Sequence, residues 1–163
     1  FKFKYREDYS LCKKIKRAML EQFKRLYDEH GVRRYYVGGA LGVDMWAGEL
    51  ILRLKEQPGY GDIELVVVLP FEGHDSKWDE RSKRRMDFLL RMCSDCVVIG
   101  KEDCRENYIK RNCYMVDHAD YLVAVYDNER NLRSGTMQTV RYAQNKGITI
   151  SFVNPDTATV TTN

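Results

Sequence analysis

The 163-residue sequence predicts an α/β fold of three layers, in which a mainly parallel sheet lies between two layers of helices. Segments with helical and with strand periodicity alternate along the chain. Two of the strand segments, IELVVVLP (63–70) and YLVAVY (121–126), are nearly continuous apolar runs, which is typical of strands covered by helices on both faces. Because such alternation requires right-handed crossovers between neighbouring strands, the strands are expected to run parallel.

The elements are predicted from periodicity and from the residues that end them. Residues 8–29 carry a helical apolar stripe that His30-Gly31 ends, and PGYG (58–61) ends the second helix. The third helix is highly charged, and Lys146-Gly147 ends the last one. In chain order the prediction is helix 8–29, strand 34–37, helix 43–55, strand 63–70, helix 75–92, strand 96–99, helix 105–118, strand 121–126, helix 134–145 and strand 148–153.

Composition limits the classes of protein. Residues 1–153 are predicted to form one domain, followed by a loose polar tail at 154–163. The net charge of +3 does not by itself indicate nucleic acid, and no apolar stretch approaches the ~18 residues of a membrane span. Five cysteines in a chain without a secretory signal favour a reducing, cytoplasmic location. Because the chain opens with Phe1 rather than methionine, the natural N-terminus is expected to lie upstream.

A CxxC pair, Cys93 and Cys96, raises the alternative of a zinc site with Cys104, Cys113 and His118. The spacing matches no compact zinc motif, and the sequence contains no second CxxC. Cys96 also opens a predicted buried strand, where cysteine acts as a small apolar residue. We therefore expect core cysteines, no metal and no cofactor.

A glycine-rich turn, GGALGVD (38–44), joins the strand 34–37 to the next helix. Glycine permits positive φ and a close approach to a ligand, and the first N–H groups of a helix lack intrahelical partners. The turn is therefore a candidate phosphate site, with Asp44 placed for ribose hydroxyls. A tight turn whose glycines only allow close packing is the alternative. The candidate residues are Gly38, Gly39, Ala40, Gly42, Val43 and Asp44.

A second small-residue turn opens the helix 134–145 after the strand 121–126. Its candidate residues are Arg133, Ser134, Gly135 and Thr136. The carboxyl ends of parallel strands meet at one edge of a sheet, so the two turns are expected to hold one ligand between them. Arg133 could add bidentate bonds to a second phosphate, whereas Ser134 alone could be a simple helix cap.

Two aromatic residues flank the loop after the strand 63–70. Phe71 and Trp78 are candidates for stacking on a base, and packing in the protein interior is the alternative. The helix that contains Trp78 carries a basic excess, but acidic residues are interleaved and no aromatic series accompanies them. A solvated, salt-bridged face is the preferred interpretation of that helix.

Several of these stretches together resemble the YpsA branch of the SLOG superfamily, which consists of Rossmann-like proteins related to the Lonely Guy phosphoribohydrolases and to the DNA-processing protein DprA. The stretches are GGALGVDMWAGE (38–49), LPFEG (69–73) with Lys77-Trp78, Arg111-Asn112 with MVD (115–117), and DYLVAVYD (120–127). The resemblance runs from about residue 8 to residue 153. It implies a nucleotide-derived ligand, Arg111 and Asn112 as ligand or subunit contacts, and a homodimer.

Two departures from the family pattern matter. Family members usually begin with a further strand and a basic loop, which would precede this chain. Lonely Guy enzymes carry a glutamate that serves in N-glycosidic cleavage, and the position aligned with it is Thr139. Because threonine cannot act as a carboxylate, no catalytic residue is assigned.

The sequence therefore supports one preferred function and two alternatives. The preferred function is binding or sensing of a nucleotide or an ADP-ribose-like derivative. The first alternative is a nucleotide N-glycosidase of the Lonely Guy type. The second is DprA-like binding of single-stranded DNA, whose affinity would fall steeply with salt.

Overall fold

The computed structural model describes residues 1, 6–129 and 134–163. Five helices and six strands alternate as predicted until the C-terminus. They are α1 (Ser10–His30), β1 (Arg34–Val37), α2 (Val43–Lys55), β2 (Glu64–Phe71), α3 (Glu80–Met92), β3 (Asp95–Gly100), α4 (Arg105–Asp117), β4 (Tyr121–Val125), α5 (Gly135–Asn145), β5 (Thr149–Val153) and β6 (Val160–Thr162).

The strands form two three-stranded sheets. The first has the order β1-β2-β3 and is parallel throughout, with Val37 opposite Val67 and Leu69 opposite Val98. The second has the order β4-β5-β6, in which β4 and β5 are parallel and β6 is antiparallel to β5. Helices pack on these strands in Rossmann-like layers, which confirms the predicted α/β class.

Two apolar clusters stabilise the two sheets. The larger one joins α1, α2 and α3 to β1 and β2, and its fully buried members include Ile15, Trp46, Leu65 and Met86. The smaller one joins α4 and α5 to β4 and β5. Among the described residues, no helix combines the length and the apolar character that crossing a membrane requires.

The last ten residues differ from the loose polar tail that composition suggests. The Asn154 side chain accepts hydrogen bonds from the backbone N–H groups of Asp156 (2.8 Å) and Thr157 (3.2 Å), and this turns the chain back on itself. Residues 160–162 then pair with β5 as β6. The β-branched residues of VTT (160–162) suit such an edge strand.

Two local predictions also need correction. The third helix begins at Glu80 rather than near residue 75, because the Asp79 side chain caps it by accepting from Ser82 N at 2.9 Å. Cys96 is exposed rather than buried, since β3 is the outer strand of its sheet. Cys12, in contrast, is fully buried in the larger apolar cluster.

Candidate functional site

A cavity of about 820 Å³ lies between the two sheets. The strands β1 and β4, which each end one sheet, both contribute to its wall, as do the helices α1, α2, α4 and α5. Gly38 and Ala40 line it beyond the carboxyl end of β1, and Gly135 and Thr136 line it at the start of α5. The two predicted small-residue turns therefore meet at one cavity.

The β1–α2 turn owes its shape to glycines. Gly39 and Gly42 have positive φ values of 68° and 83°, which side chains rarely tolerate. A Cβ at Gly38 would lie 2.6 Å from Asp44 Oδ2 and 2.9 Å from Arg111 Nη1, and one at Gly39 would lie 2.9 Å from Leu69 Cδ2. These two glycines thus make room for side chains of the protein itself, as the packing alternative expects.

Asp44 holds the turn from inside. Its carboxylate accepts hydrogen bonds from the backbone N–H groups of Ala40, at 3.5 Å, and Gly38. Burial raises the pKa of Asp44, while the charge of Arg111 and the two N–H groups act in the opposite direction. Asp44 lines the cavity, so its contacts with the turn leave it at the wall where a ligand would lie.

Arg111 brings a buried positive charge to the same wall from α4, and only 6% of it is exposed. Its Nη1 donates to the carbonyl of Gly38, and its Nε donates to Asn112 Oδ1 at 2.8 Å. Burial lowers the pKa of Arg111, and the Asp44 charge opposes that shift. No hydrogen bond among the described residues uses Nη2.

The Nη2 group of Arg111 has no hydrogen-bond partner among the described residues, and Arg111 lines the cavity. In the described part of the chain, no side-chain nitrogen or oxygen is both fully buried and without a hydrogen-bond partner. Nη2 is therefore accessible, and the cavity is the space that Arg111 lines. A guanidinium in this position suits a phosphate or carboxylate, because it can donate two bonds in a fixed plane.

The two helix N-termini at the cavity differ in whether a side chain caps them. Gly42 is the N-cap residue of α2 and provides no side-chain cap, so the first-turn N–H groups of α2 are open on that side. Ser134 caps α5, because its Oγ accepts from Met137 N at 3.1 Å. Ser134 therefore acts as the simple cap that was the alternative to a ligand contact, and α2 offers the freer N-terminus to an anion.

Eight of the predicted residues line the cavity, namely Gly38, Ala40, Val43, Asp44, Arg111, Asn112, Gly135 and Thr136. Gly39, Gly42 and Ser134 lie in the turns but not in the lining, and Arg133 lies outside the described residues. Phe71 packs edge-to-face on Tyr108 with ring centroids 5.8 Å apart, and Trp78 packs on His74 at 5.1 Å. The structure thus does not bring these two aromatic residues to the cavity.

The sequence did not predict the contact that His74 makes with the turn, whereas it singled out Thr139. His74 contacts the turn, with its Nε2 2.9 Å from the Gly39 carbonyl oxygen, although nothing in its spacing points there. Thr139 lines the cavity one turn into α5, and its hydroxyl donates to the Gly135 carbonyl at 3.2 Å. Glu49, by comparison, does not line the cavity and pairs with Arg85 of α3 at 2.5 Å.

A family model described as the YspA SLOG family (YpsA) matches residues 3–158. The chain belongs to the YpsA branch of the SLOG superfamily. Its curated relatives include a UPF0398 protein from Staphylococcus epidermidis, 25% identical over 128 residues, which are 77% of this chain and 66% of the relative. A UPF0398 protein from Bacillus thuringiensis is 27% identical over 128 residues, covering 77% of this chain and 68% of the relative. This SLOG chain thus aligns with just under two thirds of the staphylococcal protein's length.

Proposed function

We propose that this SLOG chain is a cytoplasmic domain that binds or senses a nucleotide or an ADP-ribose-like derivative. The observation that carries the proposal is the accessible Nη2 group of the buried Arg111. It lies in the same cavity wall as Val43, at the uncapped N-terminus of α2. A guanidinium and a helix N-terminus both attract anions, and their combination favours a phosphate.

The ligand would lie across the carboxyl ends of β1 and β4. Arg111 and the first turn of α2 would take one phosphate, and Thr136 at the start of α5 would donate its hydroxyl to the other end of the ligand. Asp44 would accept from a ribose hydroxyl with the carboxylate lone pairs that the turn leaves free. Phe71 and Trp78 have no part in this arrangement, because both pack elsewhere.

An N-glycosidase remains the first alternative, and the cavity lining argues against it. Cleavage of a glycosidic bond needs a carboxylate beside the ribose, and Thr139 occupies the position where the related enzymes have theirs. Of the described acidic residues, only Asp44 and Asp120 line the cavity. In the proposed arrangement Asp44 accepts from the turn and from a ribose hydroxyl, which makes it a binding group rather than the catalytic carboxylate. Asp120 precedes β4 at its amino end, whereas the proposed phosphate site lies at the opposite end.

The complete protein is proposed to have a further strand between β1 and β4. Both strands end their sheets and both line the cavity, so a strand placed between them would join the two sheets into one. Apolar side chains such as Phe23, Ile51 and Val140 line the cavity and could cover such a strand. The phosphate site at the carboxyl ends of β1 and β4 would then lie among the loops at the carboxyl edge of one continuous sheet. A homodimer is likewise proposed from the resemblance.

A thermal-shift screen tests the proposed ligand class. The panel contains AMP, ADP-ribose, NAD and the other nucleoside monophosphates, and the variant Arg111→Gln is compared with Arg105→Gln, an exposed arginine of the same helix. A ligand at ~100 times its Kd stabilises by about 2.7 kcal/mol, which raises Tm by several degrees. We expect a shift that Arg105→Gln retains and Arg111→Gln loses. Both variants are first melted without ligand, to separate lost binding from lost stability.

The same screen distinguishes the alternatives. A ligand that stabilises the protein and is then converted to free base would support the N-glycosidase. Binding of single-stranded DNA that falls steeply with salt, together with no response to any mononucleotide, would support the DprA-like function. A folded protein that responds to none of the small ligands contradicts the proposed nucleotide site.

A further inference from the structure

The outer edge of β3 is the long unpaired edge of the described sheets. Of the four sheet ends, β1 and β4 face the cavity, and β6 has only three residues. β3 has six residues and pairs with β2 on one side only. Its unpaired backbone groups form a template for another strand.

The side chains of β3 leave this edge accessible. Asp95, Cys96 and Val98 are exposed, and Val98 is 47% exposed although it is apolar. Proteins usually protect a free edge with proline or lysine within the strand, or by keeping the strand short. The stretch DCVVIG (95–100) has neither proline nor lysine, and its one charge, Asp95, is its first residue, so the middle of this edge is unprotected.

The order of residues along β3 is self-complementary in an antiparallel pair. If a two-fold axis passes through Val98, Asp95 lies opposite the partner's Lys101, and Val97 lies opposite the partner's Ile99. Opposite charges and apolar residues that face each other across strands are both stabilising. Asp95 and Lys101 are exposed, and Asp95 accepts from Cys96 N at 2.9 Å through Oδ1, which leaves Oδ2 for this contact.

Neighbouring registers lack this match. An axis through Val97 places Asp95 against the partner's Ile99, and an axis through Ile99 places Val97 against the partner's Lys101. Each of these sets a charge against an apolar side chain. Only the axis through Val98 pairs opposite charges at both ends, and symmetry makes that contact occur twice.

We propose that β3 pairs antiparallel with β3 of a second copy of this chain, about a two-fold axis at Val98, so that the β1-β2-β3 sheets of the two copies become continuous with each other. The occupant of the edge is the same chain, because the charge pattern of β3 complements itself. This interface is formed by strands and lies on the far side of β2 from the cavity. The nucleotide site and the dimer interface can therefore fail independently of each other.

Charge reversal tests the register. The mass of the full chain is measured by sedimentation equilibrium for the wild type, Asp95→Lys, Lys101→Asp and the double variant. Each single change sets like charges together at both ends of the interface, and we expect a dimer Kd about tenfold weaker. The double variant restores opposite charges and should return to within about threefold of the wild type. Circular dichroism and melting confirm that each variant is folded.

Cross-linking tests the axis itself. Residues opposite each other in an antiparallel pair have Cβ atoms about 4.5–5.5 Å apart, close enough for a disulfide after a small adjustment. In a Cys96→Ser background, Val98→Cys should form a covalent dimer on mild oxidation. Phe88→Cys, at a similarly exposed position on α3, should not. A monomer at every concentration, a double variant no better than the singles, or cross-linking only at residue 88 overturns the proposal.

Discussion

Gly38 has no side chain, and two other residues use the space beside it. Asp44 and Arg111 both approach the position where its Cβ would be, at 2.6 and 2.9 Å. The carbonyl of Gly38 also accepts from Arg111, and its N–H donates to Asp44. One residue thus places both charges of the candidate site, and any side chain here would displace at least one of them.

Substitution of Gly38 by alanine should therefore cost about 1–3 kcal/mol of stability, as overpacking of a buried site does. Gly135→Ala is the matched control, since a Cβ at Gly135 meets nothing within 4 Å. We expect the control to change the free energy of unfolding by no more than ~0.5 kcal/mol. Urea denaturation of both variants measures this difference. Equal stability of the two variants would show that the side chains of Asp44 and Arg111 can move away from a Cβ at position 38 without loss of stability.

Sequence motifs predict which segments form the candidate site, but they do not explain why position 38 is glycine. The two turns and the position of Arg111 in the site were expected from motifs in the chain. The reason for Gly38 was not, because Arg111 comes from a helix far along the sequence and only the fold brings it to the turn. A bulky residue at position 39 would clash with Leu69, so its effect would measure packing rather than ligand binding.

The hairpin of β5 and β6 contains a strained position. Ala158 has φ of 62°, and it is the one non-glycine residue with positive φ in the described part of the chain. Its backbone N–H donates to the Asn154 carbonyl at 2.8 Å, which keeps the turn in this conformation. The left-handed region is unfavourable for a residue that has a Cβ.

Ala158→Gly should therefore stabilise the protein by about 0.5 kcal/mol, since relief of strain exceeds the entropy that glycine adds to the unfolded chain. Part of the gain is offset by a lost methyl contact, because Ala158 packs at the margin of the larger apolar cluster. Ala119 does not have a positive φ, so Ala119→Gly relieves no strain and should lower the free energy of unfolding. Thermal melts compare the two variants. A lower Tm for Ala158→Gly would mean that the methyl contact outweighs the strain.

Elements were easier to predict than their ends. Apolar periodicity determines where helices and buried strands form, and it located ten of the eleven elements in the described part of the chain. β6 escaped because its three residues show no apolar pattern and depend on the Asn154 turn for their register. The start of α3 was misplaced because the charged residues before Asp79 have no periodicity that separates turn from helix.

At the scale of the whole molecule, ion pairs connect parts of the chain that are far apart in sequence. Glu7 accepts from Lys16 of α1 at 2.6 Å and from Arg85 of α3 at 2.7 Å. Arg85 also pairs with Glu49 of α2. All four side chains are less than one third exposed, so solvent screens these pairs only in part. The network ties the segment before α1 to the first three helices.

Glu7 makes this network sensitive to acid. Burial alone would raise the pKa of Glu7, but hydrogen bonds from Arg85 and Lys16 lower it from 4.5 to about 2. Because the carboxyl binds its proton less tightly in the folded chain than in the unfolded chain, ionised Glu7 stabilises the fold. That contribution is complete above pH 4.5 and is lost as the pH falls towards 2. Allowing for partial exposure, we expect it to be of order 2 kcal/mol.

Glu7→Gln should therefore lower the free energy of unfolding by about 1–2 kcal/mol at pH 7, because it removes the charge and keeps the shape. Denaturation of wild type and variant from pH 7 downwards should show the difference shrinking below pH 4.5 and nearly vanishing at pH 2. Asp8→Asn is the control, since 70% of that neighbouring side chain is exposed. A difference that stays constant with pH would mean that Glu7 acts through packing, and a similar loss in Asp8→Asn would mean that any charge before α1 suffices.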